Sequence, residues 1–349
     1  MFIHKYEDII SIENLLVAWK EFRNGKRSKE DVQIFERNLM ENIILLHKDL
    51  VKRSYKHSNY TVFNISDPKP RTIHKASVRD RLLHHAIHRI LYPYFDKKFI
   101  FDSYSCRVGK GTHAALNRFR DFGYKGSYNN TKTLWILKCD IKKFFASIDQ
   151  AILSQLLKKY IPDVDIIWLL SEVIYSFSLS LGKGIPLGNL TSQLFANIYL
   201  NELDKFVKHN LKIKFYIRYA DDFVLLSVSK QTLKEYIPKM RDFLRSNLSL
   251  DLHEFRISLK TLTSGADYLG WVHFFDHRVL RTVTKHRMFR NIIISKGKIE
   301  VIQSYFGLIS HGNTHKIYEQ INSLLGLPRR QRLFSSVSES KELGKQLNK

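Results

Sequence analysis

The chain has 349 residues, 44% hydrophobic and 13% aromatic, which is enough to bury a large core and to build two or three subdomains. Its 57 Lys and Arg against 33 Asp and Glu give a net charge of +24, spread over the whole length, the footprint of a chain that holds a long polyanion. No apolar run approaches the ~20 residues that span a bilayer, and no basic amphipathic anchor helix stands out. The start, Met1 to Asp8, puts acids where a signal peptide needs its apolar segment. Two cysteines, Cys106 and Cys139, are too few for a disulfide framework and point to a reducing cytoplasm. Nucleic acid, and no membrane, is the expected partner.

Residues 1–55 read as helical. Ser28-Lys29-Glu30-Asp31 resembles a capping box, and Val32, Phe35, Leu39, Ile43, Leu46 and Leu50 recur at helical spacing on one face, as core or partner surface. Tyr60–Ile65 is strand-like, Asp67-Pro68-Lys69-Pro70 forms a turn, and Arg71–His74 can return as the second strand of a hairpin. Lys69 and Arg71 then lie near one tip, where cations can grip a triphosphate or simply be solvated. Ser77–Arg81 opens a further helix, which should run to about Ile90 and stop before Pro93. His84 and His88 lie one turn apart, as zinc ligands do, but no third ligand is apparent, and a basic or packed helix face is the reading.

Asp102–His113 combines small residues, Gly109, Gly111, Arg107 and Lys110. Glycines let a backbone approach a ligand closely, so a phosphate or template contact and a plain connector both remain open. Thr133–Asp140 reads as a core strand ending in an acid. Ile141–Asp149 then turns into a helix, with Asp149 as an N-cap. Gly184–Gln193 is a glycine-bearing loop running into a helix over Leu194–Leu200. Phe215–Leu226 carries Tyr219-Ala220-Asp221-Asp222 between two apolar runs, which predicts a hairpin with two carboxylates at its bend. Taken alone, those four residues also fit an ordinary exposed turn. Two adjacent anions on a buried hairpin repel one another and resist desolvation, and a divalent cation offsets that cost. Leu248–His253 and Gly265–Trp271 read as a further hairpin, 280–330 as basic and largely helical, and the tail from Ser335 as polar and loose.

In that order, the strand ending in Asp140, the Gly/Ser/Gln loop and the Tyr219–Asp222 hairpin resemble motifs A, B and C of reverse transcriptases. Lys69-Pro70-Arg71 and Asp102–His113 resemble the two fingers motifs, and Asp267-Tyr268-Leu269-Gly270-Trp271 resembles the primer grip. One coincident motif is weak, but six in order, over roughly residues 55–275, are specific. Leu187-Gly188-Asn189-Leu190-Thr191-Ser192-Gln193 has the form found in diversity-generating retroelements, where group II intron enzymes carry Gln-Gly-x-x-x-Ser-Pro. Arg79–Ala86 and Gly109–His113 are also similar to that lineage. Antiphage defence-associated reverse transcriptases are the second reading, and a non-catalytic, maturase-like RNA-binding protein the third.

The resemblance implies an α+β right-hand polymerase fold, with fingers, an antiparallel-sheet palm and a short helical thumb. The implied domains are a helical N-terminal extension (1–55), fingers and palm (56–275), a basic helical thumb (276–334) and a flexible tail (335–349). About 75 residues after Trp271 are enough for a thumb but not for an added endonuclease, so the primer is expected from elsewhere. The implied cofactors are two Mg2+ ions, with Mn2+ as a substitute, held by Asp140, Asp221, Asp222 and the carbonyl of Ile141. Lys69, Arg71, Phe145, Leu187, Gly188 and Gln193 are the implied dNTP contacts, with Phe145 as the steric gate against a ribose 2′-hydroxyl. Arg107, Lys110, Tyr219, Leu269 and Gly270 are the implied nucleic-acid contacts. Partners would be the template RNA, the cDNA/RNA hybrid, dNTPs and a small basic accessory protein. One departure stands out. Where the lineage has His-Pro-x-Lys, this chain reads His253-Glu254-Phe255-Arg256, and an Arg cannot release a proton to a leaving group.

Overall fold

A computed structural model describes residues 2–66 and 70–325. The chain begins with four helices, α1 (Tyr6–Ile10), α2 (Ile12–Arg23), α3 (Glu30–Arg37) and α4 (Leu39–Val51), followed by the hairpin β1 (Thr61–Ile65) and β2 (Arg71–Lys75). Next come α5 (Val78–Asp96), α6 (Thr112–Gly126), β3 (Trp135–Asp140), α7 (Phe144–Ser147), α8 (Gln150–Tyr160), α9 (Val164–Ile174) and α10 (Leu190–Lys205). Then follow β4 (Phe215–Tyr219), β5 (Asp222–Ser227), α11 (Lys230–Leu248), β6 (Ser258–Thr261), β7 (Ala266–Tyr268), β8 (Trp271–His273) and β9 (Arg278–Leu280). Helices α12 (Thr282–Ile294), α13 (Ile299–Ile309) and α14 (His315–Leu324) complete the described chain. Three sheets result, ordered β1-β2, β4-β5-β3-β6 and β7-β8-β9.

Two compact units divide these elements. The first comprises the chain up to Gly111, Leu137–Leu225 and Gln231–Ser258; the second comprises Thr112–Ile136, Leu226–Lys230 and the chain from Leu259. The N-terminal helices thus share a unit with β1-β2 and with the acid-bearing strands.

In the first unit, α5 is the packing post. Its Leu82, Leu83, Ala86, Ile87 and Leu91 are buried at helical spacing, and Asn14 of α2 donates to the Ala86 carbonyl at 3.2 Å. A polar knot holds its N-terminus. Asp80 accepts from Tyr55 Oη at 2.8 Å, the Ser58 N–H at 3.0 Å and Ser77 Oγ at 2.7 Å. His57 and the fully buried His84 bring their Nε2 atoms to 3.3 Å, which ties up the histidine of the pair considered for metal. Burial pushes His84 down to about 3, so it sits there neutral.

Several boundaries depart from the sequence expectation. Helix α5 runs through Pro93 to Asp96, because Leu91 and Phe95 are buried on either side and tertiary packing outweighs the lost hydrogen bond. Helix α3 starts at Glu30 on an uncapped Lys29, so the expected capping box does not form. Helix α10 starts at Leu190, four residues early, which puts Thr191, Ser192 and Gln193 on its first turn. Leu248–His253 is not half of a hairpin. The hairpin is β7-β8 alone, closed at Leu269 and Gly270, both at positive φ (48° and 85°). Lys69 and the tail from residue 335 lie outside the described residues.

Arg218, in the middle of β4 and fully buried, is the costliest residue of the first unit. Its Nε and Nη2 donate to the two Asp204 oxygens at 2.8 and 2.7 Å, Nη1 to Asn197 Oδ1 at 3.2 Å, and Nη2 to Ser103 Oγ at 3.0 Å. Breaking one side of such a pair strands a charge, at a cost of ~3–5 kcal/mol. Asp204→Ala should therefore lower the urea midpoint by that equivalent, and Asp204→Ala combined with Arg218→Met should recover much of the loss. A double variant no better than the single would remove the charge argument.

Candidate active site

β3 delivers two charges to one face. Strand residues two apart point the same way, so Lys138 and Asp140 share a face while Cys139 is buried on the other. The next residue locks this strand end to the turn between β4 and β5: the Ile141 N–H donates to the Asp221 carbonyl at 3.3 Å. Backbone N–H and C=O of one extended residue face the same side, so the Ile141 carbonyl also faces that turn. On the opposite side the segment after α11 is laced to it, the His253 N–H donating to the Asp140 carbonyl at 2.8 Å and the Lys142 N–H to the Asp251 carbonyl at 2.9 Å.

The turn itself is two residues long, and Ala220 takes a left-handed φ of 54°. Arg218 Nη1 donates to the Ala220 carbonyl at 3.1 Å, so the buried pair with Asp204 also sets the bend that carries Asp221 and Asp222. Asp140, Asp221 and Asp222 are thereby brought to the same end of the sheet.

Their charges are only partly answered. Lys138 Nζ lies 3.1 Å from Asp222 Oδ2, and Arg256 Nη1 lies 2.9 Å from Asp140 Oδ2. The Oδ1 atoms of both Asp140 and Asp222 are buried without a hydrogen-bond partner. Burial first, and then the neighbouring Asp140 charge, raises Asp221 above the ordinary carboxyl range. Burial pushes Asp222 up to about 6 against the opposing pull of Lys138, and burial pushes the Cys139 thiol up to about 12. Hard carboxylate oxygens with open valences fit Mg2+ or Mn2+. Among the described residues no three His, Cys, Asp or Glu converge closely enough to hold an ion by themselves. That also fits Mg2+, which is commonly bound through one or two carboxylates plus substrate phosphates.

Phe145 lies on α7, its ring 5.4 Å from that of Phe144, and its carbonyl accepts from the Ile185 N–H at 2.9 Å. This bond ties the segment after Asp140 to the loop that carries Leu187 and Gly188. Arg71 opens β2, exposed, and its charge reaches Asp221. Gln193 is half-buried on the first turn of α10.

In the 102–113 loop the two cations diverge. Arg107 turns inward, donating to Asp96 Oδ1 at 2.7 Å and to the carbonyls of Ile100, Ser103 and Asp96. Lys110 stays outside, over the exposed Phe101 ring at 3.3 Å. In the second unit, Leu269 and Gly270 form the β7-β8 turn, Tyr268 stacks on Phe119 at 5.3 Å, and Asp267 pairs with Arg281.

Sequence reasoning missed Lys138 and the buried pair of Arg218 with Asp204. A lone Arg inside the apolar run Phe215–Leu226 was the available signal, since a charge in a core strand demands a counter-ion.

A strand ending in an acid beside a hairpin with acids at its bend defines a polymerase-type palm. Residues 58–273 match the reverse transcriptase (RNA-dependent DNA polymerase) family, and the chain belongs to it. It is 24% identical over 263 residues to Protein YkfC of Escherichia coli, covering 63% of this chain and 66% of that protein. To the group II intron-encoded protein LtrA of Lactococcus lactis it is 26% identical over 283 residues, covering 60% of this chain and 44% of LtrA. Among solved structures it resembles telomerase from Candida albicans, with a TM-score of 0.49 and 11% identity, over 66% of this chain and 48% of that one. The chain thus spans about two thirds of YkfC and under half of LtrA. No helix among the described residues is long and apolar enough to cross a membrane.

The raised carboxyls make a pH-dependent prediction. A folded value near 6 for Asp222, against an unfolded value near 3.9, means the folded state holds the extra proton between them. Stability from this group therefore falls as pH rises through that window and stays low above it. Mg2+ should raise Tm more at about pH 7.5 than at about pH 5, read by scanning fluorimetry. Equal shifts at both pH values would detach the cation from these acids.

Proposed function

We propose that this chain is an RNA-directed DNA polymerase that makes cDNA from an RNA template. The carrying observation is the placement of Asp140, Asp221 and Asp222 at one end of the sheet, half-buried and under-neutralised, in a chain of net charge +24. Nucleotidyl transfer is in-line attack by a primer 3′-hydroxyl on an α-phosphate, and the protein mainly supplies position and charge. Two divalent ions, when bound, would activate that hydroxyl and stabilise the leaving pyrophosphate. Asp140, Asp221 and the Ile141 carbonyl would hold them. Asp222, already paired with Lys138, would be the weaker ligand.

Arg71, with Lys69, would grip the β- and γ-phosphates through charge-assisted hydrogen bonds. Phe145 would close the space a ribose 2′-hydroxyl needs, and Leu187, Gly188 and Gln193 would line the nascent base pair. Lys110 and Tyr219 would contact template and primer, with Arg107 shaping the loop from inside, and Leu269-Gly270 would hold the primer strand. The 187–193 sequence supports a narrower reading, the error-prone enzyme of a diversity-generating retroelement, acting in the cytoplasm with a small basic accessory protein.

The central test is primer extension on RNA with Mg2+ present. Asp140→Ala and Asp221→Ala should each abolish synthesis, a loss of at least several kcal/mol in the transition state, while leaving the fold and RNA binding nearly intact. Wild-type rates in either would sink the assignment of that acid as a metal ligand. Phe145→Val should raise ribonucleotide use relative to deoxyribonucleotide, measured as the ratio of kcat/KM. An unchanged ratio would put the gate elsewhere. Deep sequencing of cDNA should show errors concentrated opposite template adenine, whereas uniformly low error would move the reading to a defence-associated reverse transcriptase.

A further inference from the structure

The open edge of β2 is closed by the loop that leads into α10. β2 pairs with β1 on one side, with Val62 opposite His74. On the other side the His74 N–H donates to the Leu187 carbonyl at 3.1 Å, and Asn189 Nδ2 donates to the His74 carbonyl at 3.1 Å. Both polar groups of one strand residue are thus met by the loop, with the Asn189 amide standing where a ladder N–H would stand.

Asn189 is an odd choice for this work. It is the N-cap of α10, and an Asn there ordinarily turns its side-chain oxygen onto the first-turn N–H groups. Here the side chain makes no cap bond. Its nitrogen goes to His74, and its Oδ1 is buried with no hydrogen-bond partner. Gly188 beside it has a φ of +107°, and a Cβ there would lie 2.9 Å from Ile73 Cγ2, so only glycine lets the loop lie flush on β2. The latch uses only the backbone groups of His74; its ring meets Phe177 at 4.5 Å between centroids, a contact separate from those bonds.

We propose that Asn189 is a specificity-determining positioning residue. Its amide latches the Leu187–Gly188 loop to β2, the strand that begins with Arg71, so the grip on the triphosphate and the surface facing the nascent base pair move as one body. A correct dNTP would satisfy both ends of the latch together. A mispaired one that displaces the loop would drag the phosphate grip with it, and geometry at the base would be felt at the phosphates. This deepens the polymerase reading and rests on it.

The test uses the full chain with Asn189→Asp, which keeps the shape and removes the donor, and Asn189→Ala. In the free protein, hydrogen exchange over residues 71–75 and 187–190 should quicken at least ~5-fold in both, with α5 unchanged. In single-nucleotide insertion on an RNA template, discrimination between correct and incorrect dNTP should fall ~10-fold, carried by KM for the correct dNTP while kcat stays within ~2-fold. His74→Ala, which leaves the backbone acceptor in place, should keep wild-type discrimination. Faster exchange with intact discrimination would make the latch merely structural and overturn the proposal, as would an equal loss in His74→Ala. A wild-type chain that inserts no nucleotide would instead overturn the polymerase reading, and the specificity role would fall with it, while exchange would still report whether the latch exists.

Discussion

Arg218 and Asp204 form the ion pair on which the geometry of the acids depends. Neither side chain is exposed, and a buried charge is tolerated only when its partner and its remaining donors are satisfied. Arg218 meets that condition by donating to Asp204 and Asn197 of α10, to Ser103 and to the Ala220 carbonyl of its own turn. Replacing the pair with apolar side chains of similar volume would leave no stranded charge in the core. It would remove the only one of these bonds that reaches the Ala220 carbonyl, in a turn that a non-glycine residue adopts at a cost of ~1–2 kcal/mol. The pair therefore does more than balance charge. It supplies a rigid donor three residues before Asp221, and through Ser103 and the Asp102 carbonyl it joins the same strand to the 102–113 loop.

Around the acids the opposite logic holds. Asp140 and Asp222 each meet one cation and keep one oxygen open. A structural ion pair would close both oxygens, as Asp204 does. Leaving valences unfilled in a partly desolvated pocket raises the cost of the charged form, which is why burial is the leading cause of the shifts at Asp221 and Asp222. Such a pocket is poor for stability and suited to binding cations. The stability–function conflict is located at three residues, while the strand residues beside them, Ile136 and Leu137 on β3 and Val224 and Leu225 on β5, are buried and apolar.

Local pattern carried much of this. The apolar runs around Tyr219–Asp222 and the strand ending in Asp140 each announce themselves over fewer than a dozen residues, and both form the expected elements. What stayed hidden was non-local. Nothing near Pro93 says that Leu91 and Phe95 will be buried deeply enough to carry α5 past it. Nothing near Ser28 says that α3 will begin on Lys29 instead. Asn189 reads as a loop residue from sequence, and only the pairing with β2, more than a hundred residues earlier in the chain, shows where its amide is used. The buried set of His57, His84 and Asp80 is of the same kind, with residues from separate segments meeting by tertiary packing.

Arg256 brings the two logics together. It follows α11 on a segment fastened to β3 by backbone bonds at Asp140 and Lys142, so its guanidinium cannot drift far from the first acid. A lysine there could deliver a proton to departing pyrophosphate, but an arginine stays charged at every accessible pH. What remains is electrostatics. Its side chain is half-exposed, so the bond to Asp140 is a weak, exchangeable contact rather than a structural pair. A cation that enters beside Asp140 would repel the guanidinium and release it, and the nearest new anion would be a phosphate. Fixed charge delivered at the moment of phosphate departure is a form of stabilisation that phosphoryl transfer rewards without any proton moving. On the polymerase reading proposed above, Arg256 would offer charge rather than a proton, and any proton would have to come from Lys260 or water.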